Sequence, residues 1–329
     1  MKKIYGITGI FMVVFILTAL MSSSFLTPYN MERLILRTSL FGIISIGVGF
    51  VIITSGIDLS IGSVICLIGC GLPWLLTKLS LSMPIAILVV LLATLMIGLL
   101  HGLLITKLKL QPFVVTLCGL LMYRGLTRGF TGDQTQGFGQ VFKELRWLGE
   151  GRVALPGIPL ETFGLPVPFF ILVLVAILAS IFLNRTIYGR YLLALGRNEQ
   201  AARYSGIHTD KMIVLAYLIC AGLAGLGGVL FILDVNSAQP VDFGNFYELY
   251  AIAAAVLGGC SLRGGQGTIL GVVIGAALMQ VLRNMITLVD WIPTHIEYAV
   301  IGAVILVGVV ADEVVKRVAS SRQIAASRQ

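Results

Sequence analysis

The sequence predicts an all-α polytopic membrane protein with about ten transmembrane helices, and three observations lead there. Hydrophobic residues make up 57% of the chain and charged residues only 12%, against roughly 25% charged in an ordinary soluble domain. A soluble chain of 329 residues could not cover its core with so few charges, and the apolar surface left over needs lipid as its solvent. Apolar runs able to cross a hydrocarbon layer of about 30 Å recur along the whole sequence. The 38 glycines suit helices that must approach closely in lipid. Helix is the expected element because lipid offers backbone groups no water to bond.

The predicted spans cover residues 5–26, 35–54, 61–76, 84–105, 113–129, 167–183, 212–233, 249–259, 268–288 and 296–310. The first follows Met1-Lys2-Lys3. Its apolar run is longer than a signal peptide's and lacks a small-residue cleavage site, so it reads as a retained helix. The run at 249–259 is short for a crossing and is expected to be tilted, broken or extended into its flanks. With the N-terminus inside, 14 of the 23 Lys and Arg fall on the inner side or inner span ends, leaving 9 outside. That bias favours this orientation. Residues 1–318 then form one membrane domain. A loop at about 130–166 lies outside, with a short helix around 142–148. A segment at about 184–211 lies inside, and 319–329 form a polar, basic, disordered cytoplasmic tail.

The net charge of +8 is spread over short loops and makes no basic patch interleaved with aromatics, so nucleic acid is not an expected partner. Cys66, Cys70, Cys118, Cys220 and Cys260 lie within or beside apolar runs and read as small packing residues. No cofactor or metal is expected. No G-x-x-x-x-G-K-[ST] phosphate loop occurs. Residues 261–266, SLRGGQ, resemble an ATPase signature but read as a glycine-rich turn. The span interiors are nearly free of charge: His101 near the inner end of the fourth, Asp58 past the second, Arg124 and Arg128 toward the outer end of the fifth. With no buried relay, energy is expected from a partner rather than from an ion gradient. Gly98 with Gly102, Gly271 with Gly275, and the run 221–228, AGLAGLGG, predict close helix packing. Between the second and third spans, Gly56 makes a turn, and Asp58 and Ser60 can cap the helix that follows.

Several blocks together resemble the ribose-type sugar permeases of bacterial ABC importers: SGIDLSIGS at 55–63, QPFVVTL at 111–117, GRNEQAARYSGI at 196–207, SAQP at 237–240, ELYAIAA at 248–254 and LGG at 257–259. Their order covers the chain from the second span to the start of the ninth. The resemblance implies a permease of the bacterial inner membrane. Its expected partners are ABC ATPase subunits, a periplasmic or lipid-anchored sugar-binding protein, and a second permease copy, identical or not. It implies no catalysis by this chain itself. Block 196–207 resembles the segment that contacts the ATPase, through Gly196, Asn198, Glu199, Ala201, Ala202, Ser205 and Gly206. Asn198 and Glu199 can cap a short helix, and Ala201 and Ala202 allow close docking. Departures from the family occur at His101, where Asn is common, and at Tyr250, where Asp is common. Phe113, Asn236 and Gln239 are candidates to line or gate the solute path, since amides both donate to and accept from hydroxyls. An ion-coupled secondary transporter and an ABC permease for an amino acid or signalling molecule remain alternatives.

Overall fold

The computed structural model describes residues 2–154, 157, 159, 162–289, 293–303, 306 and 310. In chain order the helices are α1 (Lys2–Met21), α2 (Pro28–Ile53), α3 (Ile61–Thr77), α4 (Met83–Lys107), α5 (Pro112–Thr131), α6 (Lys143–Glu150), α7 (Val167–Arg185), α8 (Ile187–Arg197), α9 (Glu199–Tyr204), α10 (Thr209–Val235), α11 (Tyr247–Leu257) and α12 (Ile269–Leu288). A short antiparallel pair, β1 (Arg152–Ala154) with β2 (Gly164–Pro166), separates α6 from α7. Helices α2, α4, α5 and α7 each carry proline in the first turn, where the missing N–H has no intrahelical partner to lose.

The protein is thus an all-α membrane protein, and the short helix expected around 142–148 is α6. Helix length and composition alone account for fewer than the ten expected crossings. Among the described residues, six helices are long and apolar enough to cross a bilayer unaided: α1, α2, α4, α7, α10 and α12. Helix α5 has 20 residues but carries Arg124 and Arg128. Helices α3 and α11 have 17 and 11 residues, and 11 residues rise only about 16 Å. The tenth expected span falls partly outside the described residues, of which 297–303 are helical. The tail 319–329 lies wholly outside them.

Helix α2 runs through the centre, buried along most of its length and packed by α7, α10, α11 and α12. Missing side chains bring its neighbours close. A Cβ on Gly47 of α2 would lie 3.1 Å from the Cα of Cys220 on α10. On α4, a Cβ at Gly98 would lie 2.6 Å from the Tyr217 carbonyl oxygen, and one at Gly102 would lie 2.7 Å from the Cα of Val214. Gly225 and Gly228 do the same for α4 and α3, and Gly258, Gly271 and Gly275 close α11 onto α12. These are close approaches that dispersion and packing favour in lipid.

The bundle has two distinct ends. At one, α8 and α9 meet the C-terminus of α2, the α4–α5 loop and the turn at 261–266. At the other, the 133–166 region meets the start of α2 and the end of α10. The segments 130–166 and 184–211 therefore lie at opposite ends.

Candidate transport core and coupling surface

Two segments turn back into the bundle from opposite ends. After α2, Ser55 adopts φ 65° and the chain runs back along α10. Ile57 O there accepts the Tyr217 hydroxyl at 2.9 Å, about two turns inside the first residue of α10. Helix α3 therefore begins inside the bundle. After α10, Asn236 adopts φ 51° and residues 237–246 enter from the other end. Helix α11 begins at Tyr247, whose ring packs on Phe41 and Phe231 at 4.9 and 4.8 Å. Non-helical backbone at this depth, irregular at 56–60 and folded into successive turns at 240–246, persists only where protein or a cavity surrounds it. Helix N-termini so placed carry partial positive charge into the interior.

The two segments touch. A Cβ on Gly62 would overlap the Gly244 carbonyl oxygen and the Glu248 carboxylate. The Glu248 carboxylate lies against Gly62, which places its negative charge at the start of α3. From α5, Arg124 donates to the carbonyls of Pro240 at 3.1 Å, Val241 at 3.3 Å and Phe243 at 2.7 Å. From α3, Cys66 Sγ lies 3.3 Å from Pro240 O and Cys70 Sγ 3.7 Å from Ala238 O. Four of the five cysteines are buried, whereas Cys118 is exposed on α5.

Asp58 is buried, and its Oδ1 accepts from Ser60 N at 2.9 Å and Ser60 Oγ at 2.7 Å. Ser60 occupies the N-cap of α3, but its side chain makes no capping bond there. Its hydroxyl donates to Asp58 instead of accepting from the helix, which differs from the capping expected of it. Gly56 leaves room for the Tyr217 hydroxyl, 2.9 Å from where its Cβ would sit. The two departures from the family pattern have local partners. His101 Nε2 is hydrogen-bonded to Tyr123 Oη at 2.8 Å beside Gly119, and Tyr250 Oη donates to Glu297 at 2.8 Å.

The three candidate path residues are not brought together. Asn236 Oδ1 accepts from Phe138 N at 2.9 Å and its Nδ2 donates to Gly139 O at 2.9 Å. Gln239 Oε1 accepts from Thr135 Oγ1 at 2.5 Å. Both amides tie the outer loop to the end of α10. Phe113 is half-exposed at the other end, on the first turn of α5. The α6 end of the bundle instead offers a cavity of about 450 Å³ lined by Tyr29, Glu32, Arg33, Lys143, Trp147 and Arg152. Nearby, Arg128 donates to Asp133 at 2.7 and 2.8 Å, and this guanidinium holds the Asp133 carboxyl below the usual carboxylate range.

The segment between α7 and α10 folds as two short helices. Thr186 caps α8 through Gly189 N at 3.1 Å, and Asn198 caps α9 through Ala201 N at 2.9 Å. Gly196 ends α8 directly against α2, where its Cβ would overlap Ile53 O and Gly265 N. Gly265 N donates to Ile53 O at 2.8 Å. Ser55 Oγ reaches Gly196 O at 3.2 Å and Arg263 O at 3.0 Å. The turn at 261–266 thus locks α8 to α2, with φ of 79° at Gly264 and 70° at Gly265 explaining its glycine pair. Arg203 bonds Glu199 at 3.0 Å and Asp210 at 3.0 Å, and Lys109 reaches Asp210 at 3.4 Å. Ala202 departs from its expected place on a docking face: it is 4% exposed and anchors α9 inward. The outward face carries Ala201, Arg203, Tyr204, Ser205 and Gly206, with Tyr204 91% exposed.

A polytopic bundle with broken helices at its core and short capped helices at one end is built as a membrane permease. Comparison agrees: the chain belongs to the family described as the permease component of branched-chain amino acid transport systems, which matches residues 30–309. It is similar to the ribose import permease protein of Escherichia coli, 36% identical over 303 residues, covering 92% of this chain and 91% of that one. The ribose import permease protein of Bacillus subtilis is 35% identical over 313 residues, covering 95% and 93%. The xylose transport system permease protein of Escherichia coli is 30% identical over 361 aligned positions, covering 94% and 91%. No solved structure gives a significant match.

Proposed function

We propose that this chain forms half of the membrane pathway of a bacterial ABC importer for a monosaccharide or similar neutral solute. ATP is hydrolysed by a separate subunit, and an external binding protein delivers the solute. The observation that carries this reading is α9: a capped helix that projects Tyr204 from a junction rigidly joined to α2. A push there reaches the core through α2 and the segment 54–60 without passing through a flexible linker. Similarity to ribose and xylose permeases supports a sugar. The core also suits a neutral solute, because Asp58, Glu248 and Arg124 are each engaged by neighbouring groups. The pairing of two permeases is supported by α5, where Gly125 and Gly129 have nothing within 4 Å of a Cβ position and Leu117, Leu121 and Met122 are exposed. The number of crossings in this reading is ten, with α3, α5, α11 and the segment from 297 completing the six long helices.

The test is the reconstituted complex of permease, ATPase and binding protein in liposomes. Ala201→Arg should cut ATPase co-purification and ATP-driven uptake of radiolabelled ribose or xylose by about tenfold or more, as burial of an unpaired charge at an interface does. Normal values for both would remove α9 as the dock. Buried Asp58 and Glu248 favour a second reading, ion-coupled transport. Uptake driven by an ion gradient without the ATPase would establish that reading and displace the first.

A further inference from the structure

A second cavity opens at the outer end of the bundle between α2, α11 and α12. It holds about 310 Å³ and is lined by residues that include Arg33, Arg37, Tyr247, Gln280, Arg283 and Asn284. Its lining is rich in hydrogen-bond donors, one of them buried and unpartnered among the described residues. Gln280 is 4% exposed, and its Nε2 has no hydrogen-bond partner among the described residues. Arg283 lies over the Tyr250 ring, its guanidinium carbon 4.7 Å from the centroid. Its Nε donates to Glu297 Oε1 at 2.7 Å, the oxygen that also accepts from Tyr250. These contacts fix the plane of the guanidinium, and its Nη atoms make no hydrogen bond or ion pair among the described residues. Arg37 meets Asp234 Oδ2 only at 3.6 Å, outside hydrogen-bond range, while Arg33 reaches Asp234 Oδ1 at 3.4 Å. Asn284 is occupied by a reciprocal pair with Asn30 at 2.8 and 3.0 Å. Among the described residues, the three arginines face two carboxylates, Asp234 and Glu297.

We propose that this cavity binds a phosphate-type oxyanion, held by Arg37, the Nη edge of Arg283 and the Gln280 amide. A rigid guanidinium fork matches such a group bidentately. An acceptor-only ligand satisfies the orphaned Gln280 donor without displacing any bond already made. The site lies in the first three turns of α2 and the last three turns of α12. A lipid headgroup and free phosphate present the same oxygens.

The test uses the purified, delipidated full-length permease, with native mass spectrometry for binding and thermal unfolding for stability. The probes are phosphatidylglycerol, inorganic phosphate and uncharged diacylglycerol. Phosphatidylglycerol or phosphate should bind and raise the unfolding temperature, whereas diacylglycerol should not. Gln280→Leu should unfold at or above the wild-type temperature without anion, since it removes an unpaired buried donor, yet bind the anion about tenfold more weakly. Arg37→Gln should weaken binding at least as much. A response to the lipid alone assigns the site to a headgroup, and a response to phosphate alone assigns it to the free ion. If neither probe binds, or if both variants bind as tightly as the wild type, the proposal is overturned.

Discussion

At Gly62 the two re-entrant segments come so close that a single methyl group would overlap both the Glu248 carboxylate and the Gly244 carbonyl. Gly62→Ala should therefore destabilise the permease by about 1–3 kcal/mol, the usual cost of overpacking, and lower transport. Gly71 on the same helix is the control, because nothing lies within 4 Å of its Cβ position. Thermal unfolding in detergent compares the two; equal midpoints would show that the segments do not meet at Gly62. The block 55–63 was legible in the sequence as a turn leading into a helix, and Asp58 sits in that turn. The partners of Gly62, Glu248 and Arg124 were not legible, because they come from helices distant in sequence. The same distance explains Asn236 and Gln239. Amides suited to sugar hydroxyls are equally suited to Phe138, Gly139 and Thr135, about a hundred residues away, and only the folded chain reveals which partner wins.

Helix α11 shows how a short apolar run is used at the next scale. Eleven residues cannot cross the bilayer, and they do not have to, because 237–246 carry the chain inward first. Hydropathy marked the run as short but could not show this, since the polar, turn-rich 237–246 reads as an ordinary surface loop. On the inner side, helix caps were legible at Asn198, whereas burial of Ala202 was not. A six-residue helix has too few positions to display which face packs on α10. The locking of α8 onto α2 leads to a prediction about the element as a whole. Gly196→Ala should shift α8 and α9 together, because its Cβ meets backbone at Ile53 and Gly265, which cannot rotate away. ATPase binding should fall while the permease remains membrane-inserted. Ser55→Ala removes only the hydroxyl bonds to Gly196 O and Arg263 O, and should cost far less, about 1 kcal/mol. Co-purification with the ATPase separates these outcomes, and equal retention by both variants would refute a rigid link.

For the whole molecule, charge and hydropathy placed the two ends before any contact was known. The expected inner charges Lys109, Arg197, Arg203, Lys211 and Arg263 gather with α8 and α9. The expected outer ones Arg33, Arg37, Lys143, Arg146 and Arg152 gather around α6 and β1. A bundle of alternating helices brings same-side loops together whatever their order in the chain, so the pattern survives folding. The excess of Lys and Arg at the α8–α9 end predicts that this end faces the cytoplasm. The probe positions are Tyr204, 91% exposed at that end, and Val141, 59% exposed at the other. In a chain with all five native cysteines replaced, Tyr204→Cys should react with a membrane-impermeant maleimide only in inside-out vesicles. Val141→Cys should react only in right-side-out spheroplasts. Reaction of both from one side would mean that the bundle does not span the membrane between α6 and α9. Exchange of the two patterns would keep the fold but invert it, and α9 would then face away from any cytoplasmic ATPase. The labelling thus tests the transport reading at its physical root, because an ATP-driven push requires Tyr204 and the ATPase to share one compartment.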